Sequence, residues 1–327
     1  MPILARRSLL AAATAAPFLL TGGRGFGQAW PARPIRYVVP FAAGAGILDI
    51  MARIVAQHLS ETIGQQVVVD NRPGAGGNVG ADIVAKAAPD GYTIMMGNTA
   101  LVVAPNLFAH MTFDPMTDLV PVTMVNSAPL MLVVHPSLPV KTVKEFVAYA
   151  KQQGGKLNYG SGGIGTTPFL AVELLKSMAG FDAVHVPYKG GAPALADLVA
   201  GQLAFMIENV PGTLPFVKDG KLRALGISSA KRLPLVPDLP TIQEAGVPGY
   251  EMIGWNGIFV PKGTPADVQA KLHDALAKIL KGDAAKKQLA DLGAEAIGNP
   301  QPEFAAFVKQ ESTRWSKIIR EKGIKPE

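Results

Sequence analysis

The sequence has no cysteine among its 327 residues. That absence excludes disulfide frameworks, thiolate metal sites, cysteine nucleophiles and a lipid-anchoring cysteine behind an export signal. Beyond the N-terminus, charges, glycine or proline interrupt every apolar run before the roughly 18 residues a membrane span needs. No His-Glu-x-x-His pattern, no Gly-Lys-Ser/Thr phosphate loop and no Gly-x-Ser-x-Gly elbow occurs, Tyr159 standing two positions before Ser161. The histidines His58, His110, His135, His185 and His273 are scattered, and His185 between Val184 and Val186 reads as structural. Asp49, Glu173 and Glu208 stand singly, so no acid–base pair is legible. Catalytic residues, a bound metal and a cofactor are not expected.

What is present describes a folded protein. The chain is 48% hydrophobic and 17% charged, which argues against disorder and, at this length, for roughly two domains. Residues 1–29 carry Arg6, Arg7 and Arg24 and no acid, then an apolar run from Ser8 to Leu20 and small residues up to Ala29. That is the pattern of an export signal, by the twin-arginine or the general secretory route. Cleavage after Ala29 removes three arginines and takes the formal charge from +6 to +3. The mature chain has no Lys/Arg stripe, so nucleic acid is not an expected partner.

From Ile35 onward, short β-branched runs alternate with helical patterns. Strands are expected at Ile35–Val39, Gln66–Asp70, Tyr92–Met96, Leu157–Tyr159, Val184–Val186, Leu203–Ile207 and Leu222–Ile227. Helices are expected at Ile47–Ile63, Gly77–Ala87, Thr166–Met178 and Ala192–Ala200. Strands joined through single helices run parallel, which means an α/β architecture with buried sheets. The C-terminal part differs, with helices at Pro265–Leu280, Ala284–Leu292 and Pro302–Ile319 and no strand between them. Their apolar residues Phe304, Phe307, Val308, Trp315 and Ile318 need a sheet to cover. The expected organisation is a first lobe of residues 30–126 plus 253–327, with a second lobe, 127–252, inserted into it. Two chain crossings between such lobes make a hinge and a cleft.

In parallel sheets, ligands bind beyond the carboxyl ends of the strands. Three such ends carry small or hydroxylated residues: Phe41-Ala42-Ala43-Gly44-Ala45-Gly46, Gly97-Asn98-Thr99, and Gly160 to Thr167. Each precedes a helix start, where unpaired N–H groups and the helix dipole favour an anion. Thr99, Ser161, Thr166 and Thr167 add hydroxyl donors. Ordinary turn and capping chemistry explains any one of these loops taken alone, and three of them in one cleft weigh against it. Gly160-x-Gly162-x-x-Gly165 also spells a dinucleotide fingerprint, but the ribose-binding acid is misplaced, since Asp182 precedes the next strand instead of ending it. A nicotinamide-dependent oxidoreductase is therefore the alternative from another class.

Five stretches carry a family resemblance. They are Pro34 to Phe41, Val69 to Asn78 (VDNRPGAGGN), Ala88 to Thr93 (APDGYT), Val184 to Gly191 (VHVPYKGG) and Pro240 to Gly246 (PTIQEAG). In this order they resemble the periplasmic solute-binding receptors of tripartite tricarboxylate transporters over essentially the whole mature length. The resemblance implies a two-lobed periplasmic-binding-protein (Venus flytrap, type II) fold, capture of a small organic acid, delivery to membrane permease subunits, and no catalysis. It implies a periplasmic monomer whose mature chain is not inserted in the membrane. A signalling receptor of the same fold is the variant of this reading.

Carried over by position, the ligand loops supply Phe41, Ala43, Gly44, Ala45, Gly46 and Asp49, then Asn98 and Thr99, then Ser161, Gly162, Gly165, Thr166 and Thr167, and Asn209. Asp49 serves either the ligand or the first helical turn, and Asn71-Arg72 either a ligand clamp or lobe packing. Tyr188 lines the cleft or lies in the core, and Trp255-Asn256 reads as a hinge or packing pair. Two positions depart from the family. Ile47-Leu48 precede Asp49 where relatives usually end the loop in Thr-Asp, and Phe169 stands where relatives often have histidine. Both exchanges replace polar groups by apolar ones, so a dicarboxylate with an apolar midsection is expected in preference to citrate.

Overall fold

The structure is a computed structural model and describes residues 30–44 and 47–324, without the side chains of Ile47 and Lys322. The export signal expected at 1–29, and Ala45 and Gly46 of the first loop, lie outside the described residues. Strand β1 (Ile35–Val39) leads to α1 (Ile47–Ile63), whose buried residues Leu48, Met51, Ala52, Val55, Ala56 and Leu59 recur at helical spacing. β2 (Val67–Asn71), α2 (Asn78–Ala85), β3 (Thr93–Asn98) and α3 (Thr99–Leu107) follow, with a short 3-10 turn at Ala75–Gly77 before α2. β1 pairs in parallel with β2 and β3, as the strand–helix alternation requires.

Next comes β4 (Leu119–Val134), a 16-residue strand buried along most of its length. The second sheet is built from α4 (Val143–Gln153), β5 (Asn158–Ser161), α5 (Thr167–Ala179), β6 (Val184–Pro187), α6 (Gly191–Val199), β7 (Phe205–Asn209), α7 (Val210–Lys218) and β8 (Arg223–Ile227). β9 (Ile253–Pro261) then returns the chain to the first sheet, followed by α8 (Ala266–Lys281), α9 (Asp283–Asp291), β10 (Glu295–Ala296) and α10 (Gln301–Lys322).

β4 is shared. From Leu119 to Pro129 it pairs antiparallel with β9, and from Leu130 to Val134 antiparallel with β7 and β8. The strand order is β2-β1-β3-β9-β4-β7-β5-β6, with β8 and β10 also on β4. This corrects the purely parallel expectation. β4 and β9 are long antiparallel strands that Pro121, Pro129 and the Asn126-Ser127 pair disguise as a loop in the sequence. β10 is a second correction, a two-residue strand against Asn126 and Ser127 where no strand was expected. β7 sits two residues later than expected, because Gly201-Gln202-Leu203 form the turn after α6.

The C-terminal helices cover the first sheet, α8 against α1 and β4, α10 against α3 and β4. α10 buries Phe304, Val308, Glu311, Trp315 and Ile319, spaced to form one stripe. Phe304 reaches the sheet through a gap at Gly257, where any Cβ would collide with its ring. Each such large apolar side chain contributes roughly 1.5–3 kcal/mol by leaving water.

Candidate functional site

Five of these helices begin close together. α3, α5, α6 and α7 have Asn98, Thr166, Gly190 and Asn209 as N-caps, and all four caps line one cavity of about 60 Å³ together with Leu48 from the first turn of α1. The Asn98 side chain accepts the Ala100 N–H at 3.0 Å. The starts of α5, α6 and α7 carry no side-chain cap. Their first-turn N–H groups therefore need another acceptor, water or a ligand, and the three dipoles favour an anion. Gly162, Gly190, Gly191 and Gly254 let main chain form the wall, while Phe41, Leu48, Ala128, Pro168 and Trp255 supply apolar surface. No lysine or arginine lines the cavity among the described residues.

The residues expected from sequence divide. Phe41, Asn98, Gly162, Thr166, Thr167 and Asn209 line the cavity. Ala43 and Gly44 are exposed, and Gly165 packs towards Leu107 and Val103 of α3. The Asp49 carboxylate accepts the Gly44 N–H at 2.9 Å, Arg53 Nε at 2.9 Å and Asn71 Nδ2 at 2.9 Å. Burial works against its charge, but Arg53, Gly44 and Asn71 outweigh burial and hold its pKa below the ordinary 3.8. Asn71 also donates to the Phe41 carbonyl at 2.9 Å, so Asp49 and Asn71 together hold the loop that brings Phe41 into the cavity. Arg72 pairs with Asp70.

The four expected hydroxyls are not equivalent. Ser161 Oγ donates to the Gly163 carbonyl at 3.2 Å and lies 2.7 Å from His185 Nε2, and Thr166 Oγ1 donates to the same carbonyl at 2.6 Å. These bonds close the loop on itself. Thr99 is wholly buried and does not line the cavity, its hydroxyl without a partner among the described residues. Thr167 is the one of the four that both lines the cavity and makes no side-chain hydrogen bond within the described residues.

Phe169 does not reach the cavity either. It is buried against the His185 ring, centroids 4.8 Å apart, so of the two apolar departures Leu48 alone faces the cavity. Tyr188 lines a neighbouring cavity of about 70 Å³, its hydroxyl donating to Asp197 at 2.5 Å. Trp255 and Asn256 line the main cavity as well as anchoring β9. Trp255 Nε1 donates to Glu311 Oε2 at 3.4 Å, and Asn256 Nδ2 donates to Asn126 Oδ1 at 3.0 Å.

Sequence reasoning missed Gly190, Gly191, Gly254 and above all Glu208 as lining residues. Glu208 is 5% exposed, and burial pushes its pKa from 4.5 up to about 7 against the opposing pull of the Asn209 donors. The usable signal was an acid at the carboxyl end of the apolar run Phe205-Met206-Ile207, where a buried strand meets the ligand face.

The chain is similar to known proteins in sequence and in fold. The family model described as the tripartite tricarboxylate transporter family receptor matches residues 51–324. The chain is similar to Rpa4515 of R. palustris, solved with adipate, with a TM-score of 0.88, 40% identity, and 91% of this chain and 100% of that one covered. It is similar to the periplasmic binding protein BugD, with a TM-score of 0.86, 36% identity, and 91% and 100% covered. It is also similar to MatC of Rhodopseudomonas palustris with bound malate, with a TM-score of 0.81, 35% identity, and 89% and 100% covered. The chain thus belongs to the tripartite tricarboxylate transporter receptor family, two-lobed periplasmic solute-binding proteins and not enzymes.

Proposed function

We propose that this receptor captures a small dicarboxylate with an apolar midsection and hands it to the membrane permease of a tripartite transporter. The observation that carries this reading is the cavity itself, where uncapped helix starts, Thr167 and asparagine side chains meet Leu48, Ala128 and two aromatic rings without a fixed cation. One ligand carboxylate sits on the starts of α5, α6 and α7. The chain's midsection lies against Leu48 and Trp255, and the far end reaches Phe41 and Asn98. Adipate bound to Rpa4515 and malate bound to MatC support the carboxylate class.

Residues 30–126 with 253–327 form one lobe in this reading, and residues 127–252 the other. The paired crossings β4 and β9 are the hinge. Contacts from both lobes to one ligand favour the closed arrangement, and only such differential contact shifts the equilibrium. Residues 1–29 direct export to the periplasm, where the permease recognises the closed form.

A thermal-shift screen of aliphatic and aromatic dicarboxylates, citrate and nicotinamide cofactors, followed by isothermal titration, tests the reading. Dicarboxylates are expected to raise the melting temperature by linkage, and nicotinamide cofactors to leave it unchanged. Tight citrate binding with no response to aliphatic or aromatic dicarboxylates would overturn it.

A further inference from the structure

We propose that Glu208 and one carboxylate of the ligand share a single proton through Glu208 Oε2, so that this receptor takes up a proton as it binds a dicarboxylate. The inference rests on the dicarboxylate reading above and deepens it.

The geometry is specific to one oxygen. Glu208 is the penultimate residue of β7, opposite Met131 of β4, and lines the cavity beside Gly190, Gly191 and Asn209. Oε1 is satisfied, accepting the Asn209 N–H at 2.8 Å and Asn209 Nδ2–H at 2.5 Å. Oε2 is buried with no partner among the described residues and lies against the start of α6. A buried carboxyl oxygen left unpaired is costly, and one placed in a cavity wall is satisfied when the cavity fills.

Among the described residues no lysine or arginine lines the cavity beside it, and Lys189, ahead of α6, is exposed. β4 carries no titratable side chain. On α5, Glu173 and Lys176 pair with each other at 2.7 Å, and Tyr159 of β5 donates to Glu173. Asp197 of α6 accepts the Tyr188 hydroxyl, and Lys218 is exposed near the far end of α7. Glu208 makes no ion pair among the described residues. An incoming carboxylate therefore meets a second, buried carboxyl group, and two adjacent carboxyls do not both stay ionised there. They hold one proton between them, as like-charged pairs do. Burial already brings Glu208 up to about 7, so the proton is present below that pH and must come from solvent above it.

The sign of the pH dependence follows. Affinity is expected to be flat near pH 6, above the titration of the ligand's own carboxyls, and to fall by up to about tenfold per pH unit above pH 7, until the pKa of the filled site is passed. Isothermal titration of adipate between about pH 6 and about pH 9, in buffers of differing ionisation enthalpy, reads this directly. Proton uptake should approach one per adipate at the alkaline end and vanish at the acid end. Glu208→Gln keeps a donor at that position and should abolish both the uptake and the slope. Adipate binding that is flat with pH and proton-neutral would overturn the proposal while leaving the dicarboxylate reading intact. So would a slope that survives in Glu208→Gln. No binding of any dicarboxylate at any pH would remove both. Should Glu208→Gln fail to fold, the wild-type proton count still decides, because Glu208 is the only carboxyl, histidine, lysine or arginine lining the cavity among the described residues.

Discussion

A Cβ at Gly191 would stand 2.7 Å from Glu208 Oε2, closer than real Cβ atoms approach a neighbour. The first residue of α6 thus leaves space for the acid one position before the end of β7, and the two positions both line the cavity. Gly191→Ala should push the carboxyl group aside without unfolding the chain. Adipate affinity measured by calorimetry is expected to drop about tenfold, roughly 1.4 kcal/mol, with an unaltered circular dichroism spectrum. Unchanged affinity would separate Glu208 from the ligand.

Glu208 also makes stability depend on pH. Its folded pKa, about 7, lies above the ordinary 4.5, so the folded state binds the extra proton between these values. Stability from this group is complete below about pH 4.5 and is lost as pH rises through about 7. The loss is on the order of 3 kcal/mol at most. Denaturant titrations of wild type and Glu208→Gln should therefore converge near pH 4.5 and diverge by pH 8, the variant being the more stable there. A constant difference across that range would contradict the assignment.

Thr167 offers its hydroxyl to the cavity, whereas Thr166 and Ser161 donate theirs to Gly163. Thr167→Val keeps the shape and removes that donor. Adipate affinity should fall by about 1 kcal/mol, a factor near five, with little change in melting temperature. Thr166→Ala should instead lower stability, because it releases the loop.

Asp49 acts at a distance from the cavity. Asp49→Ala frees the Gly44 N–H, Asn71 and Arg53 from one buried carboxylate. A stability loss of roughly 1–3 kcal/mol is expected, together with weaker binding as Phe41 loses its fixed position. Weaker binding with undiminished stability would place Asp49 on the ligand instead.

Much of the fold was legible locally. The apolar spacing from Leu48 to Leu59 marks α1, and the stripe Phe304, Val308, Trp315 marks a helix that needs a sheet beneath it. Helix starts were readable from Asn98 and Thr166, because caps and small residues act within a few positions of themselves. β4 and β9 were not, since a strand is stabilised by its partner, and Asn126 faces Asn256 across 130 positions of chain.

The sequence alone determined the alternation of strands and helices, the small-residue loops at the strand ends and, through five ordered motifs, the receptor family. These depend on neighbours a few residues apart. Tertiary structure alone decided that four N-caps surround one cavity, that Leu48 faces it while Phe169 does not, and that Thr167 keeps its hydroxyl where Ser161 and Thr166 spend theirs. It also decided that Glu208 is buried with one oxygen unpaired. Burial and hydrogen-bond partnership depend on which distant segments pack together, and no local pattern of residue types encodes that.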